Sequence, residues 1–369
     1  MQPGTETDVL VLQGGGALGS YQAGAFEALY ASGRRTQWVA GVSIGAINAA
    51  LIAGNPPAQR VERIRAFWDL VSSGGSAMPF LADVMPRGLF NEMSASSTMM
   101  HGISGFFEPR IPPATLMPKG SVGASSFYDT APLRDTLLEL VDFDYLNAGP
   151  VRLSTGAVNV ETGNMTWFDS AKHAITVEHI MASGALPPGF PAIEIDGQFY
   201  WDGGLVSNTP LQYVFDQQSD ADLCIFQVDL FNARGALPAS VWEIEARTKE
   251  IRFSSRTRLN TDMLCSMQRT NKAGQRLYHK LPPELQDDPD ARALLSNDCD
   301  PNITIAHLIY RQTRHETQSK DYEFSRASML GHWADGARDV TATLNHPDWK
   351  TRHDDASRVR IFDLTTAQA

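Results

Sequence analysis

Short, wholly apolar runs punctuated by glycines set the pattern of the first 55 residues. Val9 to Leu12 is apolar throughout and leads directly into glycines, as a strand buried on both faces of a parallel sheet does. From about Ser20 to Ser32 the positions Ala25, Phe26 and Leu29 share one face of a helix, with Gly33 just past its end. Trp38 to Val42 repeats the strand pattern, and Ala46 to Ala53 forms a second helix closed by Gly54-Asn55-Pro56-Pro57. Strand, helix, strand, helix predicts an α/β fold with a parallel sheet.

Val61, Ile64, Phe67, Trp68 and Val71 then mark a further amphipathic helix. From Ser72 to Tyr128 the periodicity fades, and this stretch holds Met78, Met85, Met93, Met99, Met100 and Met117, half of the 12 methionines. Two readings stand open for it: a flexible apolar lid, since methionine adapts to irregular apolar partners, or a surface insertion with its own small core. Regular structure resumes with a helix at Leu133 to Val141 and strands at Val151 to Val158 and Met165 to Phe168. Ala192 to Trp201 reads as a hairpin turning on Asp196-Gly197, and Leu223 to Val228 as another buried strand. Beyond about residue 236 the pattern is polar and mostly helical, with one apolar run at Ile303 to Tyr310. The expected organisation is therefore a catalytic domain over 8–230, with 72–128 as a lid or insert, and a largely helical extension over 231–369.

Composition narrows the function. The net charge of −11 argues against nucleic acid as a partner, because phosphate binding needs a basic surface. Cys224, Cys265 and Cys299 are odd in number and lack metal-binding spacing, which fits a reducing compartment. No basic segment followed by an apolar stretch opens the chain, and no apolar run approaches the ~18 residues of a membrane span. The expectation is a cytoplasmic protein.

Gly14-Gly15-Gly16-Ala17-Leu18-Gly19 sits between a strand and a helix and satisfies the dinucleotide fingerprint G-x-G-x-x-G. That use requires an acidic residue about 20 positions on for the ribose, yet no Asp or Glu occurs between Glu27 and Glu62. The same loop suits an oxyanion hole, in which successive backbone N–H groups at a helix N-terminus meet a developing negative charge. A tight turn without a ligand is the plain alternative.

At the end of the second strand stands Gly41-Val42-Ser43-Ile44-Gly45, a G-x-S-x-G with a strand before it and a helix after. A sharp elbow needs small neighbours, hence Gly41 and Gly45, and it presents the Ser43 hydroxyl at a helix N-terminus. Ser43 is thus the candidate nucleophile. None of the nine histidines lies in a strand-end, glycine-marked context that would nominate it as base; His173 and His179 flank a helix start. Asp202, in Trp201-Asp202-Gly203-Gly204, follows the hairpin strand, but taken alone this sequence reads as a turn.

With these parts in order, LQGGGALGSYQAGAFEAL (12–29), GVSIGAINAALIAGN (41–55) and ASGALPPGFPAIEIDGQFYWDGGLVSNTPL (182–211) resemble the three blocks of the patatin-like phospholipase family. The resemblance implies a three-layer α/β/α sandwich with a mainly parallel central sheet, and a Ser–Asp dyad. By position it makes Ser43 the nucleophile and Asp202 the base. Gly14, Gly15, Gly16 and Ala17 would form the oxyanion hole, with Gly19, Gly41, Gly45, Gly203 and Gly204 supporting the motifs. It implies an acyl-enzyme route without metal or organic cofactor. The partner would be a lipid or other acyl ester, with transient membrane-surface contact. Lysolipids, triglycerides, thioesters and short polyesters fit the same parts, and a non-catalytic scaffold is the reading from another class. Many members carry Arg or Lys where this chain has Leu18, so oxyanion stabilisation here rests more on backbone amides. The stretch DYEFSRASMLGHW (321–333) is similar to an extension found on some bacterial members, and its Tyr322, Phe324, Met329, Leu330 and Trp333 read as core or interface residues.

Overall fold

The computed structural model describes residues 6–73, 85–217, 221–254, 273–294, 302–312, 319–353 and 359–364, with 263, 266 and 270 between. Met78, Cys265, Cys299 and part of the expected lid, 74–84, lie outside the described residues. The strands are β1 (Thr7–Leu12), β2 (Trp38–Gly41), β3 (Glu108–Pro109), β4 (Tyr128–Asp129), β5 (Arg152–Asn159), β6 (Met165–Asp169), β7 (Ile193–Ile195), β8 (Gln198–Asp202), β9 (Leu223–Asp229), β10 (Ile303–Ile309) and β11 (Val359–Phe362). Nine of them form one sheet in the order β11-β10-β9-β1-β2-β5-β8-β7, with β6 on the other edge of β5. From β11 to β5 every pairing is parallel.

The helices that matter to the site are α1 (Gly19–Ala31), α2 (Ile44–Ala53), α3 (Arg60–Val71), α4 (Arg87–His101), α5 (Ala131–Leu140), α6 (Val177–Ser183), α7 (Leu211–Asp216), α8 (Val241–Phe253) and α9 (Arg326–Asn345). Strand alternation divides the core in two. Leu10 and Leu12, Phe226 and Val228, and Ala306 and Leu308 pack with α1, α2 and α3 on one face. Val9 and Val11, Leu223 and Ile225, and Ile303 and Ile305 pack with Leu211, Val214 and Phe215 of α7 on the other. The three-layer α/β/α sandwich with a mainly parallel sheet is thus present.

The described residues beyond 231 are largely helical, but they also complete the sheet: β10 lies against β9 and β11 against β10. Their helix α9 crosses α1 in backbone contact. A Cβ on Gly24 would lie 1.9 Å from the Trp333 carbonyl oxygen, and one on Gly336 would lie 2.0 Å from that of Tyr21. Around the crossing, the Tyr21 hydroxyl donates to Asp339 at 2.7 Å and the Trp333 indole N–H to Glu27 at 2.5 Å. The expected core or interface role of Trp333, Met329 and Phe324 fits their burial, whereas Leu330 is about half exposed.

The stretch read as aperiodic contains the 15-residue helix α4. Its buried positions, Phe90, Asn91, Ser94, Ala95 and Thr98, recur at helical spacing, but most are polar or small. A hydrophobic pattern therefore has little to register there.

Gly24→Ala is expected to force α1 and α9 apart and to cost about 1–3 kcal/mol, as overpacking does. A lowered thermal unfolding midpoint by circular dichroism is the check, and an unchanged midpoint would contradict the backbone contact.

Candidate functional site

Strand register brings Ser43 and Asp202 together. Gly41 pairs with Thr155 at the end of β2, so Ser43, two residues on, comes level with Ala157 of β5. Past the end of β2, β8 takes over the same edge of β5, and there Ala157 pairs with Asp202. The hairpin that delivers Asp202 turns on Asp196 and Gly197, both at positive φ (50° and 76°), as a two-residue type I′ turn requires.

Ser43 is held in a strained conformation, φ 57° and ψ −125°, at the N-cap of α2. The flanking glycines are explained by space. A Cβ on Gly41 would meet the Gly45 carbonyl oxygen at 2.2 Å, and one on Gly45 the Leu12 carbonyl oxygen at 2.3 Å. Ser183, at the end of α6, secures the elbow from below: its hydroxyl accepts from the Ser43 N–H at 3.0 Å and donates to the Gly156 carbonyl at 2.7 Å.

Asp202 is 2% exposed. Its carboxylate accepts from the Gly204 N–H at 2.7 Å and has the Ser43 side chain beside it as a second donor. Burial pushes its pKa up to about 6, against the pull of those two donors. A Cβ on Gly203 would meet the Gly156 carbonyl oxygen at 2.5 Å, so this glycine lets the turn close onto β5.

The glycine loop faces the same point. A Cβ on Gly14 would lie 3.0 Å from Cβ of Ser43. Two of its four amides are already committed: the Gly14 N–H donates to the Asn208 carbonyl at 3.1 Å, and the Ala17 N–H to the Asp321 carbonyl at 2.7 Å. This narrows the expected anion-binding set. Gly15 and Gly16, which line the cavity above Ser43, carry the amides without such a partner among the described residues. Gly16 sits at φ 54°, with the Asp321 carbonyl oxygen 2.1 Å from where a Cβ would stand. Gly19 serves packing instead, because a Cβ there would meet Ile44 at 2.5 Å.

Two residues that sequence reasoning passed over hold the loop in place. Asn208 returns the Gly14 bond, its side-chain N–H donating to the Gly14 carbonyl at 2.9 Å and to the Phe253 carbonyl at 2.9 Å. Gln13 accepts from the Leu230 and Phe231 amides at 2.6 and 2.9 Å and donates to Thr209 at 2.8 Å. Both stand inside or beside the quoted blocks, Asn208 six residues after Asp202. However, an amide side chain that bonds largely to backbone has no signature in spacing.

Above these groups opens a cavity of about 520 Å³. Its walls are aromatic: Phe106, Phe107, Tyr128, Phe190 and Phe324 pack edge to face or tilted at centroid distances of 4.8–6.2 Å. Of the methionines in the aperiodic stretch, Met99 reaches it. No histidine is among its described lining residues; His179 instead caps α6, its Nδ1 accepting from the Thr176 N–H at 2.9 Å. Among the described residues no group of three or more His, Cys, Asp or Glu could hold a metal ion, and no helix is long and apolar enough to cross a membrane.

A serine on a strand–helix elbow thus stands beside a buried carboxylate and unspent amides in an apolar cavity. The family model described as patatin-like phospholipase matches residues 10–215, and a second, described as patatin phospholipase, matches 251–356. The chain belongs to the patatin-like phospholipase family, a family of lipid acyl hydrolases. Among curated proteins none matches it. Among solved structures, VipD from Legionella pneumophila aligns at 14% identity over 89% of this chain and 67% of that one, with a TM-score of 0.35. The type III effector protein ExoU aligns at 15% identity over 79% and 68%, with a TM-score of 0.25. The ExoU–SpcU complex from Pseudomonas aeruginosa gives 18% identity over 68% of this chain and 50% of that one, at 0.30. At such TM-scores these likenesses carry no argument.

A carboxyl whose folded pKa is raised favours the folded state at low pH and loses that contribution as pH rises from its unfolded value, about 4, through about 6. Above that range, keeping Asp202 ionised costs roughly 3 kcal/mol at most. Asp202→Asn keeps an acceptor for the Gly204 N–H without the charge. Its unfolding midpoint is therefore expected to rise relative to wild type between pH 4 and pH 8; a difference that shrinks or stays flat would contradict the burial argument.

Proposed function

We propose that Ser43 and Asp202 form a catalytic dyad that hydrolyses an acyl ester through an acyl-enzyme. The observation that carries this reading is the placing of the Ser43 side chain beside the buried Asp202 carboxylate, both lining the foot of the apolar cavity. Asp202 takes the hydroxyl proton as the Ser43 oxygen bonds to the ester carbonyl carbon, and the carbonyl oxygen becomes an anion held by the Gly15 and Gly16 amides. Collapse breaks the bond to the leaving alkoxide, which receives the proton from Asp202. A water then gives its proton to Asp202 and attacks the acyl-enzyme. The returning proton frees Ser43 as the acid departs.

The aromatic walls suit the acyl chain, so the substrate class is a lipid or other apolar ester. At the mouth, Met99, Phe127 and Leu186 are 55%, 51% and 39% exposed and also line the cavity. Contact with a lipid surface there would carry the chain from one apolar environment to another.

Ser43→Ala should remove both labelling by a fluorophosphonate probe and hydrolysis of p-nitrophenyl butyrate, with circular dichroism unchanged. Retained labelling in this variant would sink the dyad. Because Asp202 accepts the proton only when ionised, kcat/KM should climb with pH through about 6 and level off above it. A profile still rising tenfold per unit at pH 8 would point to another base.

A further inference from the structure

The glycine loop is fixed on one side by Asn208 and on the other by a segment from far along the chain. The Asp321 carbonyl that accepts the Ala17 N–H at 2.7 Å also stands against Gly16. It therefore fixes the loop at the residues next to the two unspent amides. Asp321 and Tyr322 line the cavity as well. What sets the position of this carbonyl is a pair of crossed ion pairs to α8. Lys249 pairs with Asp321, and Glu250 pairs with Lys320 at 2.7 Å. The inner pair is buried, with side chains 10% and 3% exposed, and the Lys320 ammonium lies 5.7 Å from the Phe231 ring centroid and 5.9 Å from that of Tyr310. Lys249 lies 5.0 Å from the Tyr322 ring centroid.

The order of charges is what makes this a lock. Along α8 the sequence is cation then acid, and along the strap it is also cation then acid, with the two running in opposite senses across the contact. A slip of one residue would set Lys249 against Lys320 or Glu250 against Asp321. Like charges at that range, with one member of each pair buried, repel strongly. One register is permitted, and it is the one that brings the Asp321 carbonyl to Ala17.

We infer that Lys249 and the Asp321 side chain are positioning residues for the ester hydrolysis, holding the Gly15 and Gly16 amides at the angle the oxyanion needs. The inference rests on the dyad reading above. Leu18 provides no charge near the loop, and the crossed pairs supply from a distance the order that a nearby cation would otherwise impose.

The test reverses the outer pair, whose partial exposure, 24% and 20%, limits its weight in folding. Hydrolysis of p-nitrophenyl butyrate is compared for wild type, Lys249→Glu, Asp321→Lys and the double variant. Each single change should lower kcat about tenfold or more while KM stays within about twofold, because amides that meet only the transition state are mis-set. The double variant, with the pair restored in reverse, should recover most of the loss. Singles with wild-type kcat would overturn the inference, as would a loss that the double variant does not repair. Should a reversed single fail to fold, Lys249→Gln decides in its place: a fall in kcat at constant KM is expected, and an unchanged kcat refutes the lock. Fluorophosphonate labelling of the wild type separates the two layers. An unlabelled wild type defeats the dyad itself, whereas a labelled wild type with unaffected variants defeats the lock alone.

Discussion

Everything at the site hangs on the reciprocal pair of hydrogen bonds between Gly14 and Asn208. The backbone N–H of Gly14 goes to the Asn208 carbonyl, and the Asn208 side chain returns a bond to the Gly14 carbonyl. One bond would leave a hinge; two fix an orientation. The loop after β1 and the loop after β8 are thereby made one rigid surface, and Ser43 stands between them. The constraint is buried, with Asn208 4% exposed, so water does not compete for either bond and losing one partner would strand the other.

From this joint a polar chain runs through the apolar layer. The Gln22 side chain donates to the Gln13 carbonyl at 2.6 Å, Asn48 donates to Gln22 at 2.9 Å and to the Gly19 carbonyl at 3.0 Å, and the Trp68 indole N–H donates to Asn48 at 3.0 Å. These groups lie just past β1 and on α1, α2 and α3, so the elements flanking the elbow are tied by directional bonds as well as by packing. Directional bonds specify geometry in a way that apolar burial does not. That matters for a site whose function depends on fractions of an ångström.

The sequence announced the frame better than the fittings. The runs at Val9 to Leu12, Trp38 to Val42 and Leu223 to Val228 could be read because parallel strands buried on both faces carry unbroken apolar residues. The elbow at Ser43 was legible for a related reason, since steric need for Gly41 and Gly45 is written as residue type. Asp202 was not legible alone. Its environment is made by β5, and the pairing of Ala157 with Asp202 is a fact of register rather than of local composition. The helix Arg87–His101 and the glycine-loop contact of Asp321 escaped for complementary reasons. The first buries polar and small residues, and the second acts through a backbone carbonyl that any residue would provide.

The crossing of α1 by α9, and the strap that precedes it, have a consequence in time. A ribosome makes Asp321 about three hundred residues after the glycine loop and the elbow, while domains tend to form from the N-terminal side as synthesis proceeds. Until the strap and α9 arrive, Ala17 lacks its carbonyl and the groove at Gly24 stands empty. A nascent chain would thus carry its serine exposed but its amides unset. A later stretch of the polypeptide closes an earlier one.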